Sequence, residues 1–245
     1  MRLAHFLSRA GIASRRNSEE IVRAGGVAVN GRVVTDPAFG VDERSDKVAV
    51  HGRRVVPPLL VYYLLHKPKG VVSSANPQGR RRTVFDLVPP EPRVFAAGRL
   101  DTDSSGLLLL TNDGDFVEKL THPRYEVPKT YRVNAEGELT DAALSALKKG
   151  IWLAEGKMGG QFRVVRKGRG FAVLDVTITQ GVNRQVRRML AKVGLKVRSL
   201  MRTHFGPFRL GKLPPGAFRV LKSAEARAAV DVEKAAPRRS DGDAT

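Results

Sequence analysis

The sequence predicts an α+β protein of two domains, and three observations predict it. Two helix-periodic segments followed by an Asn-Gly turn fill the first sixty residues, a Pro-Pro pair at 57–58 interrupts the chain, and short apolar runs with one capped helical stripe follow.

In "RLAHFLSRAG", Leu3, Phe6, Leu7 and Ala10 fall at i, i+3, i+4 and i+7, one face of a helix, and Gly11 supplies the stop. Ser14 can cap a second helix over "RRNSEEIVRA", although Asn17 stands where a capping box would have Glu or Gln; Gly25 and Gly26 end it. "VAVNGRVV" alternates valine with smaller or polar residues around Asn30-Gly31, whose positions both need positive φ, so a hairpin is expected. "DKVAV" offers another strand. Arg9, Arg15, Arg16, Arg23 and Arg32 give this unit, expected over 1–56, a set of cations suited to phosphates. Residues 57–61 are expected to be a flexible linker, since Pro57-Pro58 can continue neither a helix nor a central strand.

The second domain is expected over 62–225. It opens with "VYYLLHKPKGVVSS", read as a strand and then a tight turn that carries Lys67 and Lys69. "PQGRRRTVFDLVP" reads as a basic loop exposing Arg80, Arg81 and Arg82. "GLLLL" is short, fully apolar and bounded by Gly106 and Thr111-Asn112, as a buried strand should be. In "NRQVRRMLAKVG", Asn183 can cap a helix closed by Gly194, with Val186, Met189, Leu190 and Val193 as its buried stripe. Arg184 and Arg188 lie opposite that stripe, whereas Arg187 and Lys192 occupy its two borders. Residues 226–245 are poor in large apolar side chains and are expected to be a disordered tail.

An apolar content of 42% suffices for an ordinary core, but a net charge of +19 and a pI near 10.9 call for a polyanionic partner. The cations concentrate between Arg184 and Lys222, where eleven basic residues occur without one acid, a patch made for phosphates. Zero cysteines exclude disulfides, thiol catalysis and thiolate metal sites. His5, His51, His66, His122 and His204 are scattered without metal-ligand spacing. With no apolar run long enough for a bilayer and no signal-like start, a cytoplasmic protein without membrane contact is expected.

"GRLDTDSSGLLLLTNDGDF" poses the chemical question, because Asp101 stands beside a strand that can only want an interior. A calcium loop starts correctly with Asp101, Asp103, Ser105 and Gly106, then fails at Asn112 and at the four leucines. A glycosidase pair fits poorly, since so basic a domain points to RNA rather than neutral sugars. One carboxylate beside a ribose suggests attack on, or proton removal near, the glycosidic bond.

The helix pair and hairpin, with "LSRAGIASRR" and "VAVNGRVV", resemble the alpha-L RNA-binding domain first known from a small-subunit ribosomal protein, which implies RNA rather than DNA. "GRLDTDSSGLLLLTNDGD" resembles the central motif of the RsuA/RluB-type pseudouridine synthases, and "HKPKGVVSS", "KTYRV" and "GVNRQVRRML" follow that family's order between about Tyr62 and Leu221. "HFGPFRLGKLPPGAFRVL" and "PQGRRRTVFDLVP" look more like the branch acting on large-subunit ribosomal RNA. The resemblance implies a mostly antiparallel mixed sheet flanked by helices, an active cleft across the sheet, and isomerisation of a specific uridine without cofactor or metal. It further implies a monomer whose partner is ribosomal RNA, free or in an assembling subunit.

Asp101 matches the family's catalytic aspartate, which cleaves the bond between ribose C1′ and uracil N1 as nucleophile or as the base that forms a glycal. Tyr131 matches the tyrosine that stacks on the base and is a candidate for the C5 proton; without the motif it reads as a half-buried strand aromatic. Arg187 matches the basic residue paired with the aspartate, and Val182 stands where many relatives have arginine or another polar residue. Arg99, Lys67, Lys69, Arg9, Arg15, Arg16, Arg184 and Arg188 are the expected RNA contacts. A synthase for small-subunit or transfer RNA, and a catalytically idle ribosome-assembly factor, remain the alternative readings.

Overall fold

The computed structural model describes residues 1–74 and 81–231, which fall into two compact units. The first comprises Met1–Val61 with the short segments Pro90–Val94 and Asn112–Gly114. Helix α1 (Leu3–Arg9) ends where Gly11 turns left-handed, and α2 (Arg15–Arg23) starts at Ser14, whose hydroxyl accepts from the Asn17 N–H. Strands β1 (Val27–Val29) and β2 (Arg32–Val33) close around Asn30 and Gly31 at φ of 51° and 82°, the positive values that Asn-Gly supplies. With β3 (Val48–Val50) and β4 (Arg53–Val55) they form a sheet of order β2-β1-β3-β4. The expected helical face packs on it, burying Leu3, Phe6 and Leu7 with Val22, Val27, Val29, Val48 and Val50. β4 is an addition to the reading of the sequence: His51-Gly52 makes a second positive-φ turn like Asn30-Gly31, and pairs β3 with a strand made mainly of arginines. The segment expected as a linker is held at its end, because the Asn112 side chain accepts from Val61 N–H and donates to the Leu59 carbonyl.

The second unit is built on a nine-stranded sheet. Its strands are β5 (Tyr62–Lys67), β6 (Phe95–Ala97), β7 (Ser105–Thr111), β8 (Lys129–Glu136), β11 (Gln161–Gly168), β12 (Phe171–Ile178), β13 (Lys196–Phe205), β14 (Phe208–Arg209) and β15 (Phe218–Val220). Helix α3 (Gly114–Thr121) follows β7; α4 (Asp141–Lys149), the hairpin β9 (Ile151–Leu153) and β10 (Gly156–Met158) lie between β8 and β11; and α5 (Gln185–Lys192) precedes β13. The order is β11-β12-β8-β13-β7-β5-β15, antiparallel at every pairing except β13 with β7. The four leucines of β7 are fully or almost fully buried at its centre. Val186, Met189 and Leu190 of α5 pack with Val133, Leu174, Val176 and Leu200 on one face.

Two details differ from the sequence reading. Residues 226–231 are not disordered: α6 runs over Ser223–Asp231 and buries Ala226, since an alanine-rich stretch favours helix even without large apolar side chains. Arg184, not Asn183, is the residue at the start of α5, in a left-handed conformation that makes no side-chain cap. Arg80 and residues 232–245 lie outside the described residues. Among the described residues no helix is long and apolar enough to cross a membrane.

Candidate active site

Asp101 sits in the turn that enters β7, and the turn is clamped from below. The Ser73 hydroxyl donates to the Leu100 carbonyl at 2.8 Å and accepts from its N–H at 3.2 Å, locking the residue before the carboxylate. Lys67, the last residue of β5, donates from Nζ to the carbonyls of Ser104 at 2.8 Å, Asp101 at 3.1 Å and Pro68 at 3.1 Å. The Asp101 carbonyl also accepts from Ser104 N–H, and the Thr102 carbonyl from Gly70 N–H. With both flanks fixed, the aspartate side chain projects from a backbone that has little freedom to move.

Glycine makes room for this clamp. Gly106 pairs with Lys67 on one side and Arg202 on the other, and a Cβ there would stand 2.3 Å from the Arg202 carbonyl oxygen. At φ of +111° only glycine is unstrained. Residues in direct register share a face of a sheet. Lys67, Gly106, Arg202 and Tyr131 therefore form one row, because Arg202 pairs with both Gly106 and Tyr131. This is the face that α5 covers, and Tyr131 lies half-buried at the edge of that cover, against the same core.

Two arginines of the α5 segment reach the turn. Arg184 grips Asp103 with both guanidinium nitrogens, at 3.0 and 3.2 Å, and extends Nη1 to Asp101 Oδ2 at 3.4 Å. Arg187 is only 12% exposed, donates to the Asp103 carbonyl at 3.2 Å and to the Val197 carbonyl at 3.3 Å, and forms an ion pair with the Asp103 carboxylate at 3.2 Å. The hydrogen bond from Arg184 is the main reason the Asp103 carboxyl is held below the usual carboxylate range. Burial brings the Lys67 ammonium down to about 8, with the nearby Asp101 and Asp103 charges opposing the drop. Among the described residues, no donor reaches Oδ1 of Asp101, whose side chain is 36% exposed.

Sequence comparison places the chain among known proteins. Residues 61–192 match the RNA pseudouridylate synthase family and residues 1–48 match the S4 domain, the helix-helix-hairpin unit described above. A ribosomal large subunit pseudouridine synthase B of Bacillus subtilis is 41% identical, with 92% of this chain and 94% of the relative covered. This chain belongs to the RNA pseudouridylate synthase family. An uncharacterized RNA pseudouridine synthase of Aquifex aeolicus is 39% identical over 92% of both chains. A putative chloroplast ribosomal large subunit pseudouridine synthase of Arabidopsis thaliana is 36% identical, covering 93% of this chain and 60% of the relative. A crystal structure of a pseudouridylate synthase superposes with a TM-score of 0.66 at 26% identity, covering 94% of this chain and 99% of that one.

The synthase departs from the sequence reading at three cations. Lys67 is fully buried and cannot meet a phosphate; it ends a strand rather than entering a turn, and its charge is consumed by three carbonyls. Arg187 pairs with Asp103 instead of Asp101, and Arg184 takes Asp101. A helical wheel could not find Arg184, because its left-handed backbone precedes the helix and its side chain is not bound to the wheel. The wheel did frame the choice between Arg187 and Lys192, which the structure resolves by turning Arg187 inward and leaving Lys192 exposed. Arg188 is tied to Glu155 and Arg9 to Glu43, while Arg15, Arg16, Lys69, Arg81, Arg82 and Arg99 are exposed. Val182 packs against the core under α5.

Three contributors escaped the sequence reading. Ser73 lies in the quoted "HKPKGVVSS" but carries no pattern of its own. Asp103 figured only in the rejected readings of a calcium loop and of a carboxylate pair with Asp101. Arg202 is 3% exposed, donates from Nε to the Leu107 carbonyl at 2.7 Å and stacks on Phe205; a cation in a strand has no local signature of burial.

Proposed function

We propose that the synthase isomerises one uridine of large-subunit ribosomal RNA and that Asp101 is the group acting on the ribose. The observation that carries this reading is a carboxylate with a clamped backbone, one oxygen engaged by Arg184 and the other open to a ligand. Such preorganisation is what a step at a single carbon needs. Asp101 adds to ribose C1′, or takes the C2′ proton to give a glycal, as the bond to uracil N1 breaks. The uracil turns, C5 bonds to C1′ as the Asp101–C1′ bond breaks or as the glycal regains its C2′ proton from Asp101, and the C5 proton leaves while N1 takes one up. Tyr131, in the row of the sheet face that also holds Lys67 and Gly106, stacks on the turning ring and is suited to accept that proton.

The uridine must first leave its stack, at a cost of about a few kcal/mol. The S4 domain, with Arg15 and Arg16, and the exposed Lys69, Arg81, Arg82 and Arg99 offset it through the RNA backbone. The names of the Bacillus and Arabidopsis relatives support the large subunit as the source of that RNA. We take the working form to be a cytoplasmic monomer acting on ribosomal RNA, free or in an assembling subunit.

The test is tritium release from C5-labelled ribosomal RNA, each subunit's RNA assayed separately, with wild type and Asp101→Asn in excess chelator. Release from large-subunit RNA by wild type alone is expected. Release from small-subunit RNA only, or undiminished release by Asp101→Asn, overturns the substrate or the role respectively.

A further inference from the structure

The β9–β10 hairpin carries the chain's single tryptophan, Trp152, with 70% of its surface exposed. One exposed apolar side chain means little by itself. Its surroundings distinguish this one. Ile151 and Leu153 on either side of it turn inward and pack on the core, so the strand's alternation drives the indole outward. Directly across the hairpin stands Lys157, exposed, with its stem laid along Gly150 so closely that a Cβ there would meet its Cε at 3.0 Å. Lys148 and Lys149, also exposed, lead into the hairpin.

The local charge is net positive: Asp141, which lies beside Lys148 and Lys149, pairs with Lys167 at 3.4 Å. Between Ala142 and Gly160 the only acid is Glu155, and both its oxygens are taken by Arg188 at 2.8 Å. That same ion pair fastens the hairpin tip to α5, one helical turn from Arg184 and hence from Asp101. None of the ring or cation stacking contacts among the described residues uses the indole. An open aromatic face bordered by an excess of lysines is chemically matched to an unpaired nucleobase, whose ring stacks while its phosphates meet the cations.

We infer that Trp152 is a stacking platform for an unpaired base of the substrate RNA, outside the segment that enters the Asp101 cleft. The inference rests on RNA being the substrate and not on which RNA it is. Duplex RNA keeps its bases stacked on each other, so the platform selects for loops or bulges beside the target.

Because Trp152 is the single tryptophan, its emission reports the contact directly. Full-length protein is titrated with an unlabelled large-subunit RNA hairpin bearing an unpaired loop, and with a blunt duplex of equal length. Binding is followed in parallel by anisotropy of labelled copies. The loop RNA is expected to quench the indole, and the duplex to bind without quenching. Trp152→Ala should weaken loop binding about tenfold and duplex binding not at all, with Trp152→Phe within about threefold of wild type. Asp101→Asn should quench as wild type does, so a failed catalytic assignment leaves this test intact. Binding without any emission change, equal quenching by duplex, or wild-type loop affinity in Trp152→Ala overturns the inference.

Discussion

The ammonium of Lys67 lies 3.1 Å from the carbonyl oxygen of Asp101, so the strand one place away holds this residue by its backbone and not by its carboxylate. A charged donor shared among three carbonyls makes a stiffer support than neutral side chains would.

Replacing Lys67 by Met removes a donor from the carbonyls of Pro68, Asp101 and Ser104 but also removes a buried charge, two effects of opposite sign on stability. We expect a change in unfolding free energy of no more than about 2 kcal/mol, with kcat reduced about tenfold or more. Denaturant titration and single-turnover tritium release measure the two separately. Unchanged kcat would show that the clamp does not serve the reaction.

The same lysine gives a pH signature. Its ammonium titrates near 8 when folded, chiefly through burial, against about 10.4 in an unfolded chain. Above pH 8 the neutral amine has two N–H donors for three carbonyls, so activity should fall on the alkaline side with a midpoint near 8. Stability moves the other way. Between about 8 and 10.4 the unfolded chain binds more protons, so the lysine's contribution to stability rises with pH through that window, and its desolvation cost is fully present below it. A pH–rate profile whose alkaline limb disappears in Lys67→Met, beside urea midpoints at pH 7.5 and 9.5, checks both signs.

Arg184 and Arg187 should separate by function. Arg184 is 43% exposed and grips the two aspartates, so Arg184→Ala should lower kcat about tenfold to a hundredfold while shifting stability by about 0.5 kcal/mol or less. Arg187 is nearly buried and ties the turn at Asp103 to Val197, so Arg187→Ala should cost about 1–3 kcal/mol of stability as well. Thermal unfolding alongside steady-state kinetics distinguishes them; equal destabilisation by both substitutions contradicts this division.

Gly106→Ala sets a Cβ against Arg202 backbone atoms at 2.3–2.9 Å, at a φ that alanine rarely adopts. Neither strand can yield without breaking the sheet. A loss of about 3 kcal/mol or more is expected, read as a lowered denaturation midpoint or as insoluble protein. Gly156→Ala, with nothing within 4 Å of its Cβ, should cost less despite a similar φ.

Much of this molecule is local in origin. The two opening helices, their caps, the Asn30-Gly31 turn, the buried leucines of β7 and the apolar stripe of α5 follow from spacing that a chain imposes on itself over a few residues. The family was legible because the motifs that hold Asp101, Tyr131 and the basic α5 segment occur in order along the chain. What the chain alone could not decide is which charges meet. Lys67 reads as a surface cation until β5 pairs with β7 and buries it beneath Asp101. Arg184, expected on phosphates, and Arg187, expected on Asp101, both bind Asp103, because one precedes the helix in a left-handed conformation and the other turns inward from its border. The row of Lys67, Gly106, Arg202 and Tyr131 joins residues from four separate strands. Periodicity reports on neighbours along a chain, whereas burial and ion pairing depend on strand order and register, which arise only when distant segments share one sheet.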